Sequence, residues 1–257
     1  MTELHFLDSN PGGTPVVVLL HGLGANATSW SLQLDRLSQA GMRPLAIDLP
    51  GFGESSFEGK GWKFKSITKI LASFIAEQTE QPVYLVGLSM GGIIAQQMVI
   101  DYPEMVSKLV LVSTFSYLRP ENLSQWAYFL ARLLVVHFIG LKTQAKIVAK
   151  RIFPAPDQEA LRQMAEEQIS SADPRAYRAA LRNLALFNSS KKLKFIKIPT
   201  LVVSGDRDTT VTPARQKFLA DHLPNSKHVI ISQAGHALTI DQYEKFNAVL
   251  LEFLAGR

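Results

Sequence analysis

The sequence predicts an α/β fold, a mostly parallel and doubly wound sheet that carries one helical insertion. Short apolar runs rich in β-branched residues alternate with helical patterns through the first 114 residues. The alternation stops at residues 115–192, where the pattern is helical, and resumes afterwards. Apolar runs without alternation are typical of strands buried on both faces of a parallel sheet. We therefore expect a core domain of residues 1–114 and 193–257, with residues 115–192 inserted into it.

The individual elements follow from these patterns in chain order. Strands are expected at residues 15–20, 44–47, 82–86, 108–112, 199–203 and 227–231. Helical spacing of apolar residues predicts helices within residues 30–37, 67–75, 93–102 and 242–254 of the core. In the insertion, prolines separate helices expected at residues 126–141, 144–153, 158–169 and 176–187.

Composition excludes several classes of function. The 257-residue chain is 47% hydrophobic and 19% charged, as a globular protein is, and it has no cysteine for a disulfide, a thiolate metal site or a cysteine nucleophile. No histidine pair or carboxylate cluster has metal-ligand spacing, so neither a metal nor a cofactor is expected. The start does not resemble a signal peptide, and no apolar stretch predicts a transmembrane segment. We expect a cytoplasmic protein.

The positive charge is concentrated in the insertion. Residues 115–199 hold 14 Lys and Arg against 6 Asp and Glu, a balance of +8, whereas the remaining 13 against 16 give −3. The basic residues show no recognition motif and no aromatic interleaving, so nucleic acid is not an expected partner. The basic run at Lys191, Lys192, Lys194 and Lys197 is either a solvated face or an attractor for an anionic lipid, an acidic carrier protein or an anionic substrate.

Ser89 lies in a turn, residues 87–91, between an expected strand and an expected helix. A serine hydroxyl needs a base before it can act as a nucleophile at neutral pH. A sharp strand-to-helix turn strains the serine backbone and requires small neighbours, which Gly87 and Gly91 supply. The turn also places the backbone N–H of Met90 at a helix N-terminus, where it can stabilise an oxyanion. These features predict that Ser89 is a catalytic nucleophile.

His236 is the expected general base. It follows the last strand and precedes the last helix, and catalytic groups collect at the carboxyl ends of parallel strands. The aspartate that orients it should follow the strand at 199–203, where Asp206 and Asp208 compete. We favour Asp208, which lies further into the loop, because Asp206 could instead organise the turn or pair with Arg207.

The loop after the first long strand, residues 21–24, is the expected source of a second oxyanion donor. Its glycines allow the backbone to approach a substrate closely, and the N–H of Leu23 is the candidate beside that of Met90. His21 could act as a base, but we expect it to hydrogen-bond its own loop into shape.

In the order Ser89, Asp208, His236, these pieces resemble the α/β-hydrolase fold family. The resemblance covers nearly the whole chain outside the insertion and rests on residues 21–22, 48–55, 87–92, 205–208 and 235–236. It implies that the insertion is a cap over the active site. It also implies that residues 4–7 are what is left of the first antiparallel strands of the family.

The resemblance narrows the expected reaction. Dehalogenases and epoxide hydrolases of this family use an aspartate where this chain has Ser89. Residues 205–253 are similar to enol-lactone hydrolases, and residues 48–55 to carrier-protein methyl ester esterases. We expect a serine hydrolase that cleaves carboxylic esters through an acyl-enzyme. The alternatives are an enol-lactone or thioester hydrolase, a carbon–carbon bond hydrolase, and a non-catalytic binding protein of the same fold.

The helix expected at residues 126–141 is apolar nearly all round, with Arg132 and His137 as interruptions. One interpretation is a cap helix packed on both sides. The other is an acyl-binding wall or a surface that meets lipid. On the second interpretation, Trp126, Phe129 and Leu130 are the candidate substrate-binding residues.

Overall fold

The computed structural model describes residues 3–59, 61–118 and 123–256. Over these residues it has one seven-stranded sheet, which confirms the expected fold class. The strands are β1 (Phe6–Asp8), β2 (Val16–Leu20), β3 (Arg43–Ile47), β4 (Val83–Leu88), β5 (Val106–Val112), β6 (Thr200–Gly205) and β7 (Ser226–Ile231). Their spatial order is β1-β3-β2-β4-β5-β6-β7. All neighbours are parallel except β1, which runs antiparallel to β3.

Ten α-helices are described along the chain. They are α1 (Ser31–Gln39), α2 (Phe64–Gln78), α3 (Met90–Asp101), α4 (Leu123–Leu134), α5 (Leu141–Ile152), α6 (Glu159–Ser171), α7 (Pro174–Leu186), α8 (Pro213–Asp221), α9 (Leu238–Asp241) and α10 (Tyr243–Leu254). None of these described helices has the length and apolar character needed to cross a membrane.

The first insertion helix differs from the sequence expectation. The expected single helix at 126–141 is interrupted: α4 ends at Leu134, a π-helical turn covers Val135–Ile139, and α5 begins at Leu141. Gly140 joins the two at a φ of 115°, a backbone conformation that residues with a side chain rarely adopt. Apolar periodicity alone does not detect this break, because the residues on both sides of Gly140 are apolar.

The hydrophobic core has a layer on each face of the sheet. Along β2, Val16, Val18 and Leu20 contribute to one layer and Val17 and Leu19 to the other, so all five side chains are buried. Helices α2, α3 and α8 supply buried side chains to the first layer, and α1 and α10 to the second. This burial on both faces explains why the strands read as continuous apolar runs.

The strand order reverses at β2, which has β3 on one side and β4 on the other. In open α/β sheets, ligands bind beyond the carboxyl ends of the strands at such a switch point. The loop after β2 and the turn after β4 therefore open side by side, and the loops after β6 and β7 open at the same edge.

The insertion leaves the sheet after β5 and returns before β6. Its two connections meet: the Ser189 N–H donates to the Ser116 carbonyl over 2.8 Å, and Tyr117 and Asn188 form a β-bridge. The Asp173 N–H, just before α7, donates to the Gly51 carbonyl in the loop after β3 over 2.8 Å. The insertion helices are thus anchored against the same edge at which the four loops open.

Candidate active site

Ser89 joins β4 to α3 with a φ of 53° and a ψ of −110°. A positive φ is strained for a residue with a side chain and needs support from its surroundings. The Ser89 N–H donates to the Val112 carbonyl over 2.9 Å, and the Thr114 hydroxyl donates to the Ser89 carbonyl over 2.7 Å. These bonds tie the turn to the neighbouring strand and fix the direction of the Ser89 side chain.

The two flanking glycines are required by close backbone packing. A Cβ at Gly87 would overlap the backbone of Gly91, and a Cβ at Gly91 would overlap the backbone of Leu20 in the neighbouring strand. Backbone atoms cannot move aside as the end of a flexible side chain can. The small residues expected around Ser89 are therefore needed for the turn to close.

The structure brings Ser89, His236 and Asp208 together in one hydrogen-bonded row. His236 Nε2 lies 3.1 Å from Ser89 Oγ, and His236 Nδ1 lies 2.9 Å from Asp208 Oδ2. An ionised aspartate only accepts, so His236 Nδ1 carries the proton and its Nε2 is free to accept from the serine hydroxyl. The Asp208 side chain is 0% exposed and that of His236 only 9% exposed, so solvent competes little with these bonds.

Asp208 is held by four donors. Its Oδ1 accepts from the N–H groups of Thr210 (2.8 Å) and Val211 (2.9 Å), and its Oδ2 accepts from Gln216 Nε2 (3.1 Å) as well as from His236. These bonds satisfy the buried carboxylate oxygens and orient the carboxylate. Sequence reasoning missed Gln216 because only the packing of α8 under this loop brings it to Asp208.

Asp206, the competing aspartate, lies in the turn after β6, and the carboxylate that pairs with His236 is that of Asp208. Its Oδ1 accepts from the Ala234 N–H over 3.2 Å, which links that turn to the loop that carries His236. Of the two other roles expected for Asp206, the structure favours organisation of the turn.

His21 is neutral and supports the loop after β2. The Leu49 N–H donates to His21 Nε2 over 3.0 Å, so the proton is on Nδ1, which donates to the Gly22 carbonyl over 2.7 Å. Complete burial lowers the pKa of His21 from 6.5 to about 4. Asp48 braces the same loop, because its Oδ1 accepts from the Ala27 N–H over 2.6 Å.

The two expected oxyanion donors belong to segments that adjoin Ser89. Leu23 lines the cavity beside Ser89, and a Cβ built on its neighbour Gly22 would stand only 3.6 Å from Ser89 Cβ. Met90 is the first residue of α3, where backbone N–H groups have no partner within the helix.

A cavity of about 490 Å³ opens between the sheet edge and the insertion helices. Ser89 and His236 line its floor, and the rest of the lining comes from α4, α5, α6 and α7 and from core segments that include the loops after β2 and β6. Phe129 contributes to this lining as expected. Trp126 and Leu130 do not: they are absent from the lining and are 53% and 56% exposed.

The described residues include no group of three or more His, Asp or Glu side chains arranged to hold a metal ion. The site consists of a hydroxyl, an imidazole, a carboxylate and backbone N–H groups at the floor of a largely apolar cavity.

Comparison with known proteins places the chain in a family. The family described as serine aminopeptidase, S33, matches residues 13–243. A protein of Variovorax paradoxus (strain S110) named as the carbamate hydrolase RutD is 28% identical, over 98% of this chain and 96% of its own length. The pimeloyl-[acyl-carrier protein] methyl ester esterase of Vibrio vulnificus (strain YJ016) is also 28% identical, over 100% of this chain and 99% of its own length.

Solved structures agree with the fold. The enol-lactonase from Burkholderia xenovorans LB400 superposes with a TM-score of 0.89 over 99% of this chain and 97% of that chain, at 24% identity. The family match extends from before β2 to the start of α10 and includes every strand of the sheet except β1. The chain therefore belongs to the serine aminopeptidase family, S33, of the α/β hydrolases.

Proposed function

We propose that the chain is a serine hydrolase that cleaves carboxylic esters, with Ser89, His236 and Asp208 as its catalytic triad. The observation that carries the proposal is the hydrogen-bonded row from Ser89 Oγ through His236 to buried Asp208, opening into the cavity. This is the arrangement that activates a serine nucleophile in unrelated folds.

The reaction follows from the positions of these groups. Ser89 Oγ attacks the ester carbonyl while His236 Nε2 accepts its proton, and Asp208 stabilises the resulting imidazolium. The N–H groups of Leu23 and Met90 hold the oxyanion of the tetrahedral intermediate. His236 then returns the proton to the leaving alcohol, and an acyl-enzyme forms on Ser89. A water molecule activated by His236 attacks this acyl-enzyme, and the acid leaves as Ser89 regains its proton.

Among acyl substrates, the relatives favour esters. The Vibrio protein is named as a methyl ester esterase, and its match covers the whole length of this chain. The relative named as a carbamate hydrolase adds carbamates to the substrates to be compared. Enol-lactones and thioesters remain the alternatives, because the same acyl-enzyme chemistry serves both.

We also propose that residues 115–192 are a cap on a core of residues 1–114 and 193–257. The connections of this segment meet at Ser116 and Ser189, and its helices line the cavity above Ser89. In this arrangement the core carries the chemistry and the cap selects the substrate.

The outer face of the cap is proposed to contact an anionic lipid surface. An exposed apolar stripe on α4 and the π-helical turn comprises Leu123, Trp126, Leu130, Leu134, Phe138 and Ile139. Residues 123–150 contain no Asp or Glu, and Lys142, Lys146 and Lys150 are exposed along one face of α5. Exposed apolar side chains beside unopposed lysines suit the headgroup region of an anionic membrane.

Turnover with the Ser89→Ala variant tests the ester assignment. The panel comprises p-nitrophenyl esters from acetate to palmitate, simple lactones, an acyl thioester and an aryl carbamate. We expect the wild type to prefer open esters, and Ser89→Ala to lose on the order of 10³-fold or more in rate. Ser107→Ala, at the opposite edge of the sheet, is the control. Near-normal ester turnover by Ser89→Ala would refute the mechanism. A higher turnover of lactones than of open esters would show that lactones are the preferred substrate.

A further inference from the structure

Two arginines project from the cap into the cavity. Arg132 comes from α4 and Arg151 from α5, and both line the same space as Ser89. They lie against one aromatic ring: the guanidinium carbons of Arg132 and Arg151 are 5.9 and 4.5 Å from the centroid of Tyr128. Both guanidinium groups thus face the same Tyr128 ring.

Both arginines are held by neutral acceptors. Arg132 Nη2 donates to the Tyr177 hydroxyl over 3.2 Å. When the Gln144 amide is oriented with its oxygen towards Arg132, that oxygen accepts from Arg132 Nε over 2.8 Å. Arg151 Nη2 donates to the Thr209 carbonyl over 2.6 Å. The Arg151 Nε is buried and has no hydrogen-bond partner among the described residues.

Among the described residues, no carboxylate balances the charge of these arginines within the cavity. None of the described residues that line it is Asp or Glu, and no described carboxylate lies within ion-pair distance of either guanidinium. Removing a cation from water is costly unless an anion accompanies it. Two half-buried arginines with neutral partners therefore form a site that an anion would stabilise.

Apart from these arginines, most of the side chains that line the cavity are apolar. They include Phe115, Phe129, Phe153, Met164, Ile169 and Leu184. Arg151 is also tied to the catalytic loop, because its acceptor Thr209 directly follows Asp208 in the chain. A ligand that places its reactive carbonyl at Ser89 and extends an apolar chain into the cavity can thus bring a terminal group to the arginines.

We propose that Arg132 and Arg151 bind a carboxylate on the substrate, so that the preferred substrate is a small ester whose acyl chain ends in a free carboxylate. This inference rests on the proposed ester hydrolysis at Ser89. Arginine suits the task because its planar group donates two parallel hydrogen bonds to a carboxylate.

Paired substrates of equal shape test the inference. Monomethyl suberate carries a terminal carboxylate, and its primary amide differs from it only in charge and hydrogen bonding. We expect the acid to have the higher kcat/KM, and Arg132→Gln or Arg151→Gln to lower its kcat/KM roughly ten- to hundredfold, mainly through KM. Turnover of the amide should change little. The Arg→Lys variants should recover part of the loss, since they keep the charge.

The controls separate this loss from misfolding and from general charge effects. Arg182→Gln removes an exposed arginine from α7 of the same cap and should leave both substrates unaffected. Thermal unfolding followed by circular dichroism checks that each variant folds. Equal effects of the two cavity variants on acid and amide would overturn the inference.

Binding without turnover separates the inference from the proposed function. Calorimetric titration of the Ser89→Ala variant with suberate should show binding that weakens with added salt and is lost when Arg132 and Arg151 are both changed to Gln. If the amide ester is hydrolysed in a Ser89-dependent way but neither charge preference nor suberate binding appears, the inference fails and the proposed function stands. If suberate binds but neither ester is hydrolysed, the proposed function fails and the anion site remains.

Discussion

His21 supports the loop after β2 in its neutral form. It accepts from the Leu49 N–H and donates to the Gly22 carbonyl, so it connects the loop after β2 with the loop after β3. A protonated ring could not accept the first of these bonds. Burial disfavours the charged form of the ring and lowers its pKa to about 4, so the ring is neutral at neutral pH.

A lowered pKa in the fold makes stability depend on pH. His21 binds a proton in the unfolded chain near pH 6.5 and in the fold only near pH 4. The contribution of neutral His21 to the free energy of unfolding is complete above pH 6.5. About 3 kcal/mol of this free energy is lost as the pH falls towards 4. Urea unfolding of the wild type and His21→Gln across this range measures it. The wild type should lose more stability than the variant, and parallel losses would contradict the assignment.

Gln216 illustrates what a residue-by-residue reading of the sequence cannot find. Serine, histidine and aspartate were predictable because their chemistry and their positions after strands mark them. Gln216 has no such mark, and its contact with Asp208 depends on how α8 packs beneath the loop. The partners of a catalytic group are set by tertiary packing and are therefore visible only in the structure.

At the scale of elements, strands were easier to predict than the orientation of helices. The expected strand at 199–203 corresponds to β6, Thr200–Gly205, because continuous burial leaves a clear apolar run. Helix α4 is apolar nearly all round, so its sequence does not show which face meets the cavity. The structure brings Phe129 into the lining and exposes Trp126 and Leu130.

The exposed stripe on α4 should bind anionic vesicles. We expect the protein to float with vesicles of phosphatidylglycerol and phosphatidylcholine, and to remain unbound with phosphatidylcholine alone. Leu130→Glu with Leu134→Glu should abolish flotation, because two carboxylates would enter the headgroup region with the stripe. Leu32→Glu on α1 is the control, since Leu32 is 42% exposed but lies outside the cap. Absence of flotation, or binding to an acidic carrier protein in its place, would contradict the lipid assignment.

At the scale of the whole molecule, the strand order assembles the site. Ser89 and His236 are 147 positions apart, yet β4 and β7 end at the same edge of one sheet and their loops meet there. Parallel strands with helical crossovers always bring their carboxyl ends to one edge. This rule is why the core of the site was predictable from the sequence.

The cavity was not predictable in the same way. Its shape depends on four insertion helices, on the break at Gly140 and on the Tyr128 ring that two arginines face. These features arise from the packing of helices, and the arrangement of packed helices is harder to predict from a sequence than the arrangement of parallel strands. The substrate preference therefore has to be inferred from the structure of the cap.

The measurement that tests the account most directly is covalent labelling with a fluorophosphonate, located by mass spectrometry of the digested protein. The account predicts one phosphonate per chain on Ser89, and a labelling rate that falls on the order of 10³-fold or more in His236→Ala, because the imidazole must take the serine proton. Labelling at another residue, no labelling, or an unchanged rate in His236→Ala would contradict the proposal that Ser89 is the activated nucleophile.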